Sequence, residues 1–253
     1  MLGKLIKYDS RAMFRNMFPL YVALTVLTLV FSVMVRFNLD KGFLFSIFAS
    51  LFIAALNGSI IACVYLVVTR FSRGLLKNEG YLSFALPVST ATHILAKVIN
   101  AIIWAFIEGL MLLVCLLIMG MIMGSVREVA EFFREMLKVF GVIDREVILA
   151  VLKLLVILIL EMIAATCLIY AAMAVGHLFE KHQKMVMVLF LIVVCVVRSF
   201  LLSLMIEFTD GFPYDSFMFR SFDDIMLIVM PMIFAAIYAF LTWFILDRRL
   251  NLE

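Results

Sequence analysis

Four ionisable side chains lie inside long apolar stretches of the sequence: Glu108, Lys153, Glu161 and Arg198. At the centre of a lipid bilayer a charged side chain costs on the order of 2.5–3.5 kcal/mol. Each of them should therefore face protein or water, or pair with an opposite charge. Such residues either hold helices together or line a transport path, so they are the first candidates for function.

Glu161 and Arg198 carry opposite charges near the middle of two different apolar stretches. We therefore predict an ion pair between two helices. The pair either locks the two helices together or takes part in gating or in the substrate path. Lys153 lies about two turns from the end of its stretch, close enough for its long side chain to reach the membrane surface.

Two further polar positions have no partner that the sequence reveals. Glu108 is either a protonated, hydrogen-bonded carboxyl, because burial disfavours the charged form, or a cavity carboxylate that attracts a cationic or amphiphilic substrate. Asn57 belongs to an Asn-Gly-Ser step in the middle of another stretch. That step either unwinds locally to line a pathway or allows two helices to pack closely.

The composition indicates what holds these residues. Of the 253 residues 66% are apolar and only 15% charged, against roughly 45–50% and about 25% in soluble domains. The apolar runs are continuous, unlike the alternating strands of membrane barrels, and lipid offers no backbone partners, so the runs should be helices. We predict an all-α polytopic protein with a single transmembrane domain over residues 1–253. Six spans of about 20 residues or more are expected at 20–36, 43–69, 94–122, 147–175, 185–206 and 225–246.

Two segments outside the spans have amphipathic patterns. Residues 1–19 alternate apolar and basic side chains at helical spacing, which predicts an interfacial helix in the headgroup region ahead of the first span. A cleavable signal peptide is the weaker alternative, because the charged region is long and no small-residue cleavage site follows. Residues 124–146 predict a short amphipathic helix on the outer surface.

The distribution of basic residues predicts the topology. With the amino terminus in the cytoplasm, twelve Lys and Arg residues fall on the inner side and seven on the outer side. Basic residues favour the cytoplasmic side, so both termini are expected inside a multi-pass protein of the cell membrane.

Several kinds of chemistry have no signature in the chain. The sequence contains no GxxxxGK[ST] string, which could hold nucleotide phosphates. It also contains no HExxH motif and no set of side chains typical of a protease. The four cysteines lie in apolar runs without a CxxC pair, which argues against a metal or disulfide role. A formal charge of +3 without a basic, aromatic-rich block gives no indication of nucleic acid binding. We expect no enzyme activity and no cofactor in this chain.

The connection between the second and third spans, residues 69–100, combines a basic start, a turn, a short apolar run and a proline stop. Pro87 ends the apolar run, and Ser89 or Thr90 can cap the next helix. A short apolar helix on the inner surface either docks in a groove of a soluble partner or anchors the loop to lipid headgroups.

This connection resembles the corresponding loop in the membrane subunits of type-2 ABC exporters. That loop has an acidic residue, a glycine, an apolar helix, a Pro-Val/Ile-Ser/Thr step and a lysine that enters the third span. Lys97 is the matching lysine here. The residues that would contact the motor are Glu79, Gly80, Tyr81, Leu82, Phe84, Leu86 and Pro87. The six-span layout and the basic amino-terminal segment are also similar to that family, whereas the 207–224 connection is shorter than its extended re-entrant element.

The resemblance implies the permease half of a bacterial ATP-driven exporter that works by alternating access. Residues 79–89 would form a cytoplasmic coupling helix, and a separate ABC ATPase subunit would bind ATP and magnesium. The chain would pair with a second permease subunit, either a copy of itself or a different chain. Spans rich in Phe and Met suggest an apolar or amphiphilic cargo such as a peptide, drug or lipid. The alternatives are a non-transporting sensor or assembly scaffold and, less well supported, an intramembrane enzyme.

Overall fold

A computed structural model describes residues 2–37, 39, 42–76, 88–124, 131, 134, 145–179, 181–210 and 217–248. Within these ranges the regular structure is helical. Six long helices follow one another: α1 Leu2–Arg36, α2 Phe43–Phe71, α3 Thr90–Met123, α4 Arg145–His177, α5 Gln183–Asp210 and α6 Phe217–Arg248.

All six helices are long and apolar enough to cross a membrane, which confirms an all-α, polytopic membrane protein. Each contains one of the predicted spans and extends beyond it at one or both ends. The reason is that a run of apolar side chains defines only the part of a helix that lipid surrounds. Of the predicted 124–146 surface helix, only Glu131 and Arg134 between Gly124 and Arg145 lie among the described residues, and both are helical.

The predicted interfacial helix at residues 1–19 is not a separate element. Helix α1 runs without a break from Leu2 to Arg36, with Pro19 inside it. Met13 and Met17 are fully buried, so one side of this part of the helix packs against protein. A helix of 35 residues is roughly 50 Å long, well beyond the ~30 Å hydrocarbon core, so one helix both crosses the membrane and projects from it.

Helix α2 is also continuous, including the Asn57-Gly58-Ser59 step. The step is therefore not unwound. After Phe71 the helix widens into a π-helical turn at Ser72–Leu76, in which the backbone bonds span five residues and not four. Such turns are rare and are often found at functional sites.

The chain forms two compact units. The amino-terminal unit comprises residues 3–67 and 100–150, and the carboxy-terminal unit comprises residues 1–2, 68–99 and 151–253. The core of the amino-terminal unit contains Met13, Met17, Cys63 and Trp104, from α1, α2 and α3. The rings of Phe31 and Phe52 stack 5.0 Å apart in the same unit.

In the carboxy-terminal unit, α4 contributes a run of small, buried residues: Ala164, Ala171, Ala172 and Ala174. Small side chains allow helices in a membrane to pack closely. At Gly176, one turn beyond Ala172, the neighbouring chain approaches too closely for any side chain. A Cβ atom there would lie 2.8 Å from the backbone oxygen of Gln183 and 3.2 Å from Cβ of Met187, so the start of α5 can approach only a glycine.

Candidate functional site

The seven residues proposed to contact a motor subunit lie outside the described residues. They are Glu79, Gly80, Tyr81, Leu82, Phe84, Leu86 and Pro87. The described chain stops at Leu76 and resumes at Val88, so the structure shows both ends of this segment. Both ends belong to the carboxy-terminal unit.

An aromatic stack holds the first end. The rings of Phe71, at the end of α2, and Tyr170, on α4, are parallel within 10° with centroids 3.9 Å apart. Both side chains are almost fully buried, as are Leu75 and Leu76 in the π-helical turn. Stacked aromatic pairs contribute about 0.5–1.5 kcal/mol beyond their area burial, so this end of the segment is firmly fixed.

The same tyrosine reaches the second end. The hydroxyl of Tyr170 donates to the backbone oxygen of Lys97, on α3, at 3.3 Å. The side chain of Lys97 in turn passes Gly74, where a Cβ atom would lie 3.1 Å from Nζ. Tyr170 therefore contacts residues on both sides of the 77–87 segment. The lysine singled out by the family resemblance is placed against the turn that ends α2, where a positive charge suits the unsatisfied carbonyl groups.

The beginning of α3 has a second attachment. Ser89 is the residue before the helix, and its backbone oxygen accepts from the amides of Thr92 and His93. Thr90 donates its hydroxyl to Oδ1 of Asp247, near the end of α6, at 3.2 Å. Through Tyr170 and Asp247, the flanks of the segment are joined to α4 and to α6.

Glu161 and Arg198 lie in the same unit, and the structure brings them together. Both carboxylate oxygens of Glu161 accept from Nη2 of Arg198. The guanidinium also lies over the ring of Phe234 on α6, 5.6 Å from its centroid, a distance typical of a cation–π contact. The pair thus connects α4, α5 and α6. The side chain of Glu161 is 41% exposed and that of Arg198 is 20% exposed, so the pair reaches the surface of the chain.

Glu108 has a different environment, inside the amino-terminal unit. Its side chain is only 5% exposed. The hydroxyl of Tyr21, on α1, donates to Oε2 at 2.8 Å, and Oγ of Ser59, on α2, lies 2.6 Å from Oε1. Among the described residues, no Lys or Arg pairs with this carboxyl. One carboxyl group therefore joins three helices through hydroxyl groups alone.

Glu108 is the last member of a buried stripe on α3 that repeats every four residues, with Asn100 and Trp104 before it. Asn100 accepts from the hydroxyl of Ser10 and donates to the sulfur of Met13 at 3.2 Å. Trp104 is 2% exposed, and its indole Nε1 has no hydrogen-bond partner among the described residues. The three side chains of the stripe contact residues of α1 and α2.

Asn57 and Lys153, the other polar residues predicted within the spans, lie at more exposed positions than Glu108. Asn57 is exposed and donates its amide to the backbone oxygen of Ile53, one turn back in its own helix, at 2.9 Å. A Cβ atom on Gly58 would meet nothing within 4 Å, so this glycine is not required for close packing within the chain. Lys153 is half-exposed on α4. The described residues contain no group of His, Cys, Asp and Glu side chains that could hold a metal ion.

Tyr21 and Tyr170 were not identified from the sequence, and Ser59 was noted only as part of the Asn57-Gly58-Ser59 step and not as a partner of Glu108. The signal for Tyr21 and Tyr170 is the phenol itself, because a tyrosine within an apolar helix needs a hydrogen-bond partner for its hydroxyl. His93 lies buried in the first turn of α3.

Comparison of the chain with protein-family models, with curated proteins and with solved structures gives no match. The sites must therefore be interpreted from their own geometry.

Proposed function

We propose that this chain is the membrane subunit of an ATP-driven exporter and that residues 79–89 receive movement from a separate ATPase subunit. The observation that carries the proposal is the anchoring of the two flanks of this segment. A coupling element must be tied at both ends to the helices that it moves, since a free loop would absorb the displacement. Tyr170 contacts Phe71 before the segment and Lys97 after it.

The anchoring also suggests where movement would go. Displacement of the segment would pull on α4 through Tyr170 and on α6 through the Thr90–Asp247 hydrogen bond. Closure of the ATPase subunits around ATP and magnesium would supply the displacement, and the helices would open a path to the other side of the membrane. The partners are an ABC ATPase and a second permease subunit, identical or different. The cargo is an apolar or amphiphilic peptide, drug or lipid.

The first test is copurification of the full-length chain from its own cells in mild detergent. We expect a chain that contains GxxxxGK[ST] to copurify, and Leu82→Asp to abolish this association by placing a charge in the apolar run of the segment. Leu178→Asp is the matched control, because Leu178 is an exposed leucine in the α4–α5 connection. Retention of the ATPase by the Leu82 variant, or absence of any ATPase from the wild-type preparation, would contradict the proposal and favour a sensor or scaffold.

The second test separates coupling from assembly. In vesicles containing the whole complex, Tyr170→Leu should leave the ATPase bound and hydrolysing ATP but should reduce cargo transport severalfold. Tyr170→Phe, which keeps the stack and removes only the hydroxyl, should have the smaller effect. Equal transport by all three proteins would show that Tyr170 does not transmit movement.

A further inference from the structure

The number of hydrogens around Glu108 does not suit an ionised carboxylate. The Oγ atom of Ser59 lies 2.6 Å from Oε1 of Glu108 and 2.9 Å from the backbone oxygen of Leu56. If Glu108 is ionised, neither of these two oxygens carries a hydrogen. A serine hydroxyl has one proton to donate. It would then share one proton between two acceptors, and neither of these short contacts would be a full hydrogen bond.

A proton on Oε1 satisfies every contact. Glu108 then donates to Oγ of Ser59, Ser59 donates to the oxygen of Leu56, and Tyr21 donates to Oε2 of Glu108. Each oxygen in the group makes the number of bonds that its chemistry allows, and each hydrogen has one acceptor. The chain of bonds runs in one direction, from the carboxylic acid to the backbone of α2.

The charges around the site favour the same state. The other titratable groups that face Glu108 are the phenol of Tyr21 on α1 and the thiol of Cys63 on α2, and both are neutral at ordinary pH. Among the described residues no cationic side chain pairs with Glu108. A buried charge without a cationic partner is strongly disfavoured, whereas a neutral carboxyl with a hydrogen bond to each oxygen is not.

We propose that Glu108 is a proton-binding site within the membrane, in which a neutral carboxylic acid joins α1, α2 and α3 through Tyr21 and Ser59. The neighbouring Met13, Met17, Cys63 and Trp104 pack against one another, with Tyr21 packed on them. A proton needs no space of its own in such a closely filled core, so it is the ligand that we propose. The proposal does not depend on the chain being a transporter.

Release of the proton would change the hydrogen bonds around Glu108. The proton passes to water, the two electrons of the O–H bond stay on Glu108, and Oε1 becomes an acceptor. The hydroxyl of Ser59 must then turn from the oxygen of Leu56 to Glu108, since it cannot donate to both. One bond of the chain is lost and a negative charge is left in the buried core. Proton release at this residue is therefore tied to the loss of the Ser59–Leu56 bond within α2 and to a negative charge among α1, α2 and α3.

Infrared spectroscopy of the full-length protein in lipid vesicles at neutral pH tests the proposal. A protonated carboxyl has a C=O stretching band that a carboxylate lacks, and exchange into D₂O lowers its frequency. We expect this band in the wild type and its loss in Glu108→Gln. Glu161→Gln is the matched control, because Glu161 is paired with Arg198, and it should leave the band unchanged.

A second variant keeps the carboxyl. Tyr21→Phe removes the donor to the carbonyl oxygen, so the same band should persist and move to higher frequency. Absence of the band from the wild type, or its persistence unchanged in the Glu108 variant, would overturn the proposal. If Glu108→Gln does not fold, an unchanged band in Tyr21→Phe would do so on its own. A carboxylate band that responds to replacement of sodium by potassium would instead indicate a metal cation.

Discussion

Glu108 and Glu161 are carboxyl side chains near the midpoints of two membrane-spanning helices, yet the chain satisfies them by different means. Glu161 has an arginine partner from the next helix and a partly exposed position. Glu108 is buried and has two hydroxyl partners from helices α1 and α2. In the first case a second charge neutralises the carboxylate; in the second, by our proposal, a proton does.

The comparison shows what each arrangement demands of its surroundings. An ion pair needs strong donors and tolerates an exposed position, because the two charges compensate each other wherever they lie. A neutral carboxyl needs one donor and one acceptor in fixed places, which only closely packed helices supply. The first arrangement depends on a second charged side chain, whereas the second depends, by our proposal, on a bound proton.

Removal of the arginine should have the largest effect. Arg198→Leu leaves Glu161 unpaired in the membrane and should destabilise the protein by about 2.5–3.5 kcal/mol, the cost of an unpaired charge at the bilayer centre. Thermal unfolding in detergent, followed by the loss of monodisperse protein, measures this. The double variant Glu161→Gln with Arg198→Gln should recover most of the loss, and a single variant as stable as the wild type would show that the pair is not structural.

Truncation of the other carboxyl should have the next largest effect. Glu108→Ala removes the partner of both hydroxyls and should cost about 1–3 kcal/mol, the range for leaving a buried polar group unsatisfied. The same unfolding assay applies. Leu110→Ala, at an exposed position on the same helix, is the control for truncation alone and should cost less.

A smaller effect is expected when only one hydrogen bond is lost. Tyr21→Phe keeps the ring and removes the hydroxyl that donates to Glu108, so a loss of about 0.5–1.5 kcal/mol should result. In the Glu108→Gln background the same change should cost a similar amount, because the amide oxygen accepts the same bond. A loss that vanishes in that background would mean that Tyr21 interacts with a charge at position 108.

Glu108→Gln should have the smallest effect on stability, and comparison with Glu161→Gln distinguishes the two carboxyls. Glu108→Gln keeps an acceptor for Tyr21 and a donor for Ser59, so it should change stability by less than about 1 kcal/mol. Glu161→Gln, by contrast, leaves Arg198 unpaired and should cost as much as loss of the arginine. Equal losses in the two Gln variants would mean that Glu108 is ionised in the folded protein.

Some of these features could be predicted from residue type and depth. Glu161 and Arg198 are opposite charges at similar depths in neighbouring apolar stretches, so their pairing follows from the cost of leaving either one alone. Glu108 offered no such clue. Its partners are 87 and 49 residues away along the chain, and Tyr and Ser occur in many membrane helices without a buried acid beside them.

The sequence by itself determined the number and approximate limits of the spans, because an apolar run of sufficient length has only a helix as a stable form in lipid. Only the tertiary structure decided that Lys97 lies against Gly74, that Met13 and Met17 are buried, and that Tyr21 and Ser59 enclose Glu108. The physical reason is that the length of a helix depends on its own residues, whereas the side that it turns to its neighbours depends on how all the helices pack together.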